Sequence, residues 1–112
     1  HINCARSFAT KLNVHVVLKG AKTIIAHPDG RIFINPTGNP GMASGGMGDV
    51  LTGMIGGFVA QGYPIESATH LAVFIHGSAG DFLAKKNGPI GYLATDVMKE
   101  LPNQIRDIAV GI

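Results

Sequence analysis

Asn35-Pro36-Thr37-Gly38-Asn39-Pro40-Gly41-Met42-Ala43-Ser44-Gly45-Gly46-Met47-Gly48-Asp49-Val50-Leu51-Thr52-Gly53-Met54-Ile55-Gly56-Gly57 is the stretch on which the fold turns. It opens as a loop rich in proline and glycine and becomes, from Val50 to Ala60, an apolar run with helical spacing. A glycine-rich loop feeding a helix N-terminus is a preformed anion site, because first-turn N–H groups have no intrahelical acceptor and the helix dipole adds positive charge there. Glycine lets the backbone approach a phosphate with no Cβ in the way. Asp49 falls where loop becomes helix, which fixes a carboxylate beside that cradle. Taken alone, an Asp at a helix start serves equally as a cap, and glycine clusters serve as turns. Gly53, Gly56 and Gly57 each cost a helix about 1 kcal/mol relative to Ala. Close backbone approach, to another element or to a ligand, is therefore expected on that helix.

Outward from this stretch the pattern is α/β. Upstream, Asn3 to Leu12 reads as a helix with Cys4, Phe8 and Leu12 at a spacing of four. Val14 to Leu18 is a β-branched strand, apolar enough to be buried on both faces, with His15 packed or hydrogen-bonded inside it. Lys19-Gly20-Ala21-Lys22-Thr23 follows at the strand's carboxyl end, where open α/β sheets bind ligands. Lys19 and Lys22 there suit a phosphate, and equally a solvated turn. Ile24 to His27 and Ile32 to Ile34 flank Pro28-Asp29-Gly30-Arg31, the chemistry of a tight turn in a hairpin.

Downstream, a helix from about Asp49 to Gln61 is ended by Gly62, and Pro64 opens the next, with Glu66 in its first turn. Ala68, Leu71, Ala72, Ile75, Ala79, Phe82 and Leu83 make one helical stripe, bordered by His76. Asn87 to Gly91 is a loop. Thr95 caps a last helix whose Val97, Leu101, Ile105 and Ile108 face inward and whose Pro102 kinks or restarts it.

The chain has 112 residues, 46% of them hydrophobic and 14% charged, which is the composition of one folded domain. A net charge of +2 with scattered basic residues excludes a nucleic-acid footprint. Cys4 has no partner for an internal disulfide, which fits a cytoplasmic protein. The longest apolar run falls short of the ~20 residues of a membrane span. No His, Cys or carboxylate group shows ligand spacing along the chain, so no protein-held metal is expected.

Asn35 to Gly53 closely resembles the signature of the ADP/ATP-dependent NAD(P)H-hydrate dehydratases, members of the ribokinase-like superfamily with a Gly-x-Gly-Asp anion hole. The resemblance extends to Val17 to Thr23, to His76-Gly77-Ser78-Ala79-Gly80-Asp81 and to Ala94-Thr95-Asp96. It implies that residues 1–112 are the C-terminal part of a ribokinase-like nucleotide-binding domain, a fragment of a longer protein. A partly parallel sheet, a β-hairpin and covering helices follow as the expected fold. The implied reaction is nucleotide-dependent dehydration of (S)-NADH or (S)-NADPH hydrate to NADH or NADPH with release of phosphate. The alternatives are a small-molecule kinase of the same superfamily and a nucleotide-binding fragment inactive by itself.

By the same resemblance Lys19, Gly20, Ala21, Lys22, Thr23 and Gly48 bind the nucleotide, ADP or ATP with Mg2+ carried on its phosphates. Gly45, Gly46, Met47 and Gly48 form the anion hole. Asp49 is the catalytic base, and Asp49 and Asn39 contact substrate. An exposed sheet edge in such a fragment favours self-association, so a homo-oligomer is expected.

Overall fold

The computed structural model describes residues 1–20 and 22–111. Helix α1 (Ile2–Leu12) leads to strands β1 (Val16–Leu18), β2 (Ile24–Ala26) and β3 (Ile32–Ile34). A 3-10 turn (Pro40–Met42) and helices α2 (Met47–Ala60), α3 (Ile65–Asn87) and α4 (Ala94–Gly111) follow.

The strands form one sheet in the order β1-β2-β3, both pairings antiparallel, with Val17 opposite Ile25 and Ile25 opposite Phe33. The expected partly parallel sheet is thus corrected: among the described residues no strands run parallel. The physical reason is connection length. Only residues 19–23 and 27–31 join the strands, whereas a parallel pair needs a crossover of a dozen or more residues. The 28–31 turn forms as its sequence dictates. Gly30 takes φ 93°, the Arg31 N–H donates to the Asp29 carboxylate, and the His27 N–H donates to the Arg31 carbonyl.

Side-chain alternation in β2 makes three layers. Ala26 turns to α1, where it packs with Ala5 and Ala9, while Ile25 turns the other way, onto Leu51, Ala72 and Val73 of α2 and α3. Apolar character on both faces of so short a strand follows from this sandwich. A second core lies between α2, α3 and α4, built on Met47, Ala79, Leu83, Tyr92 and Val97. Full burial of each large side chain there contributes about 1.5–3 kcal/mol.

The helices differ from expectation in detail. On α1 the buried residues are Ala5 and Ala9, and Phe8 and Leu12 are each 57% exposed, because the close approach of helix to sheet selects small side chains. On α2 a Cβ at Gly53, Gly56 or Gly57 would meet nothing within 4 Å, so among the described residues no other element makes the close approach expected there. At α4 the carboxylate of Asp96, not Thr95, accepts from the Leu93 N–H at the helix start. The same helix continues through Pro102 as one element and does not restart there; Met98 and Pro102 are exposed, so solvent can take the carbonyl left unbonded. Its inward face holds at Val97, but Ile105 is 42% exposed.

Candidate functional site

Residues 35–42 are strapped along α3. The Asn35 amide donates to the carbonyl and Oγ1 of Thr37, and Thr37 Oγ1 donates to the Phe74 carbonyl at 3.0 Å. Asp81 accepts from the Gly38 N–H at 3.0 Å and from the Asn39 amide at 2.9 Å. Asn39 Oδ1 in turn accepts from the Gly41 N–H and the Tyr92 hydroxyl. The strap lies so close that a Cβ on Gly77 would collide with Thr37 and one on Gly80 with the Met42 side chain. Close backbone approach thus occurs on α3, one helix later than the sequence indicates.

Held this way, the strap walls a cavity of about 420 Å³. Leu51, Val73 and Gly77 line it from α2 and α3, and Lys19, Gly20 and Thr23 from the segment between β1 and β2. Gly46, at φ 88°, ends the loop and starts α2, so Met47, Gly48, Asp49 and Val50 are its first turn. The Val50 N–H returns to the Gly46 carbonyl, and the Met47 N–H reaches the Ser44 carbonyl only at 3.4 Å. Lys19 Nζ lies 3.3 Å from where a Cβ on Gly48 would stand. One ammonium thus faces one helix N-terminus. A Cβ on Gly48 would displace that ammonium by a few tenths of an ångström.

Of the residues expected at the site, Lys19, Gly20, Thr23 and Asn39 line the cavity, and Gly48 meets Lys19. Gly45 and Gly46 are exposed in the approach to α2, with open space around Gly45. Met47 contributes backbone only, its side chain being fully buried in the core. Asp49 is exposed on the first turn and is not among the lining residues. Lys22 is likewise exposed and off the lining, and Ala21 lies outside the described residues. The side chain of Asn39 is engaged at both ends within the strap, so its first role is to shape the wall.

Two cavity residues carry more than sequence spacing showed. Ser44 Oγ and His76 Nε2 are buried and have no hydrogen-bond partner among the described residues. His76 is 5% exposed. Burial first, and then the nearby Lys19 ammonium, lower its pKa from 6.5 to about 4, with the Met47 carbonyl pulling partly the other way. A neutral imidazole and a hydroxyl with unmet hydrogen-bonding capacity therefore stand in the wall. The sequence places His76 only at the edge of an apolar stripe.

The lowered pKa has a stability consequence. Between pH 6.5 and about 4 the unfolded chain protonates His76 and the folded chain does not. The stabilisation is complete above pH 6.5 and is lost as pH falls through about 4. It amounts to at most roughly 3 kcal/mol, at about 1.4 kcal/mol per pH unit. Urea midpoints of the wild type and His76→Gln, compared across that window, should show the shallower pH slope in the variant.

The profile of the NAD(P)H-hydrate dehydratase family matches residues 1–103. The chain belongs to that family. It is 44% identical over 107 residues to the bifunctional NAD(P)H-hydrate repair enzyme Nnr of Moorella thermoacetica, covering 96% of this chain and 20% of that protein. It is 41% identical over 98 residues to the ADP-dependent (S)-NAD(P)H-hydrate dehydratase of Xanthomonas campestris, covering 88% of this chain and 34% of that one. The ADP/ATP-dependent dehydratase of Bacillus subtilis, co-crystallised with ATP and Mg2+, superposes with a TM-score of 0.90. Identity there is 36%, over 95% of this chain and 38% of that one. The chain therefore spans between a fifth and two-fifths of the length of these relatives. It is a ribokinase-like portion, mostly helical with a small antiparallel sheet.

Proposed function

We propose that this chain forms the nucleotide-facing part of an ADP- or ATP-dependent dehydratase that restores NADH or NADPH from the (S)-hydrate with release of phosphate. The observation that carries this is the meeting of Lys19 with Gly48 at the start of α2, beside a cavity of about 420 Å³. A cation and a row of first-turn N–H groups converging on one point fit a polyphosphate, which gains from both charge and donors. The nucleotide, with Mg2+ on its phosphates, supplies the phosphoryl group that turns the substrate hydroxyl into a leaving group.

The chain's own residues do the rest. The N–H groups of Gly45, Gly46, Met47 and Gly48 stabilise negative charge growing on the transferred group. Asp49 takes the proton of the attacking hydroxyl, and loss of phosphate together with the proton on the adjacent ring carbon, which passes to solvent, then forms the dihydropyridine double bond. Lys19, Gly20 and Thr23 hold the nucleotide, with Lys22 and Ala21 in the same loop. Asn39 shapes the substrate side. Among the described residues no helix is long and apolar enough to cross a membrane, and a cytoplasmic homo-oligomer is the form we propose. The exposed edges of β1 and β3 support self-association.

Incubation with NADH hydrate and ADP or ATP, followed by absorbance of the reduced nicotinamide, tests the assignment. Recovery of absorbance with one phosphate released per NADH is expected. A stable phosphorylated alcohol instead identifies a kinase, and nucleotide binding without turnover identifies a fragment that needs the rest of its protein. In the same assay Lys19→Met should raise the nucleotide KM by about ten- to a hundredfold, the loss of one charge-assisted contact of roughly 1.5–3 kcal/mol.

A further inference from the structure

The histidines are unevenly placed. His15 in β1's approach, His27 at the end of β2 and His70 on α3 form a continuous row across the hairpin. His27 Nδ1 lies 2.7 Å from His15 Nδ1, and His27 Nε2 lies 2.8 Å from His70 Nε2. Glu66, one turn before His70, brings Oε1 to 4.0 Å from His27 Nε2. One ligand atom from each of His27, Glu66 and His70 falls within 4.8 Å of the other two. His27 is fully buried, and Phe33 stands edge-on to both His27 and His70, with ring centroids at 5.5 and 4.5 Å. None of the three lines the nucleotide cavity. The sequence shows no ligand spacing because the set is split between the hairpin and α3.

We propose that His27, Glu66 and His70 form a site for a zinc-class divalent transition metal, which clamps the β2–β3 hairpin to α3.

The donor set selects the metal. Two imidazole nitrogens and one carboxylate oxygen suit zinc, cobalt or nickel, whereas magnesium takes oxygen ligands and keeps its water. The three donor atoms lie within 4.8 Å of one another, so side-chain movement of about an ångström completes the geometry. Glu66 and His70, four apart on α3, present their side chains on one face, and His27 meets them from the sheet. Zinc–nitrogen bonds of about 2.0–2.1 Å set tetrahedral nitrogens about 3.4 Å apart, so the two rings need to part by only about half an ångström.

The surroundings also match a metal site. His15 faces the second ring nitrogen of His27, and the tautomer in which His27 Nδ1 donates to it leaves Nε2 free for an ion. The Arg31 guanidinium donates to both Glu66 oxygens at 2.7 Å, and a carboxylate has lone pairs left for an ion. The competing arrangement is a hydrogen-bonded histidine row with no ion. It satisfies the same nitrogens, since neutral His27 donates to one neighbour and accepts from the other.

Titration of the full chain with Co2+, read by visible absorption and calorimetry, separates the two. The expected result is one equivalent bound with a Kd in the micromolar range or tighter, displacement by Zn2+, and no competition from excess Mg2+. Zn2+ should also raise the melting temperature. His70→Ala should weaken binding at least about a hundredfold and Glu66→Gln about tenfold, while Cys4→Ser, at an exposed site, should leave it unchanged. Circular dichroism checks that each variant folds. The Glu66→Gln variant, altered at a half-exposed side chain, keeps the test valid if His70→Ala does not fold. The proposal is overturned by a Kd weaker than about 100 μM. Binding that survives both ligand substitutions, or that disappears with Cys4→Ser, overturns it equally. These readouts use neither nucleotide nor NADH hydrate, so they stand apart from the proposed activity.

Discussion

Replacing Asp49 by Asn is expected to lower turnover of NADH hydrate by about 10²–10⁴-fold, the usual worth of a positioned general base. The substitution is nearly isosteric and sits on the exposed first turn of α2, so the core beneath it, Met47 and Leu51, is untouched. Its structural cost is one favourable charge at a helix N-terminus, roughly 0.3–1 kcal/mol. Melting temperature should therefore move little, while kcat collapses. Nucleotide affinity should hold or improve slightly, because a negative charge next to Gly48 is removed from beside the phosphates. That split is the informative part. A residue that merely capped α2 would change stability and leave kcat alone. Retention of activity within about threefold would remove Asp49 from the chemistry and return it to the role of a cap. Asp81→Asn offers the opposite profile, since that carboxylate accepts from Gly38 and Asn39 in the strap, so stability and nucleotide KM should both suffer.

What the sequence made legible is what is local. The turn at 28–31 follows from Pro28, Asp29 and Gly30, and the end of α2 from Gly62, whose φ is 99°. The loop-to-helix junction at Gly46 and the chemistry of its first turn are likewise written in consecutive residues. What needed the fold is every contact between distant segments. Lys19 reaching Gly48, His76 meeting the Met47 carbonyl in the wall, and Glu66 and His70 meeting His27 join positions that no spacing rule connects. Periodicity also failed where it marked two adjacent faces at once: on α1 both the Phe8 and the Ala9 rows recur every four residues. Only the approach of the sheet decides that Ala5 and Ala9 are the ones buried. Strand direction was misjudged because an apolar strand reads the same in a parallel sheet as between two helical layers.

Gly77→Ala is the second large effect expected, and it tests the strap that builds the cavity. A methyl group at this position would collide with Thr37 Oγ1 and sit 2.7 Å from the Thr37 carbonyl carbon. Backbone cannot give way there without breaking the Thr37–Phe74 and Asn35–Thr37 hydrogen bonds. Ala gains about 1 kcal/mol of helix propensity over Gly, but overpacking costs about 1–3 kcal/mol and each hydrogen bond lost adds about 1 kcal/mol. The net is a destabilisation of roughly 1–4 kcal/mol, read as a lower urea midpoint with an unchanged slope. Nucleotide affinity should fall with it, because a lifted strap widens the cavity and moves Asn39 and Ser44. Gly80→Ala is the matched control, three residues further along the same helix. The three atoms nearest its methyl all belong to the flexible Met42 side chain and none to backbone, so the side chain can repack, and stability should stay within about 1 kcal/mol of wild type. Equal behaviour of the two variants would mean that the strap is not held on α3 at Gly77. A large loss confined to Gly77→Ala ties the proposed anion site on α2 to a glycine on α3, and gives close packing of backbone on backbone as the reason that glycine is there.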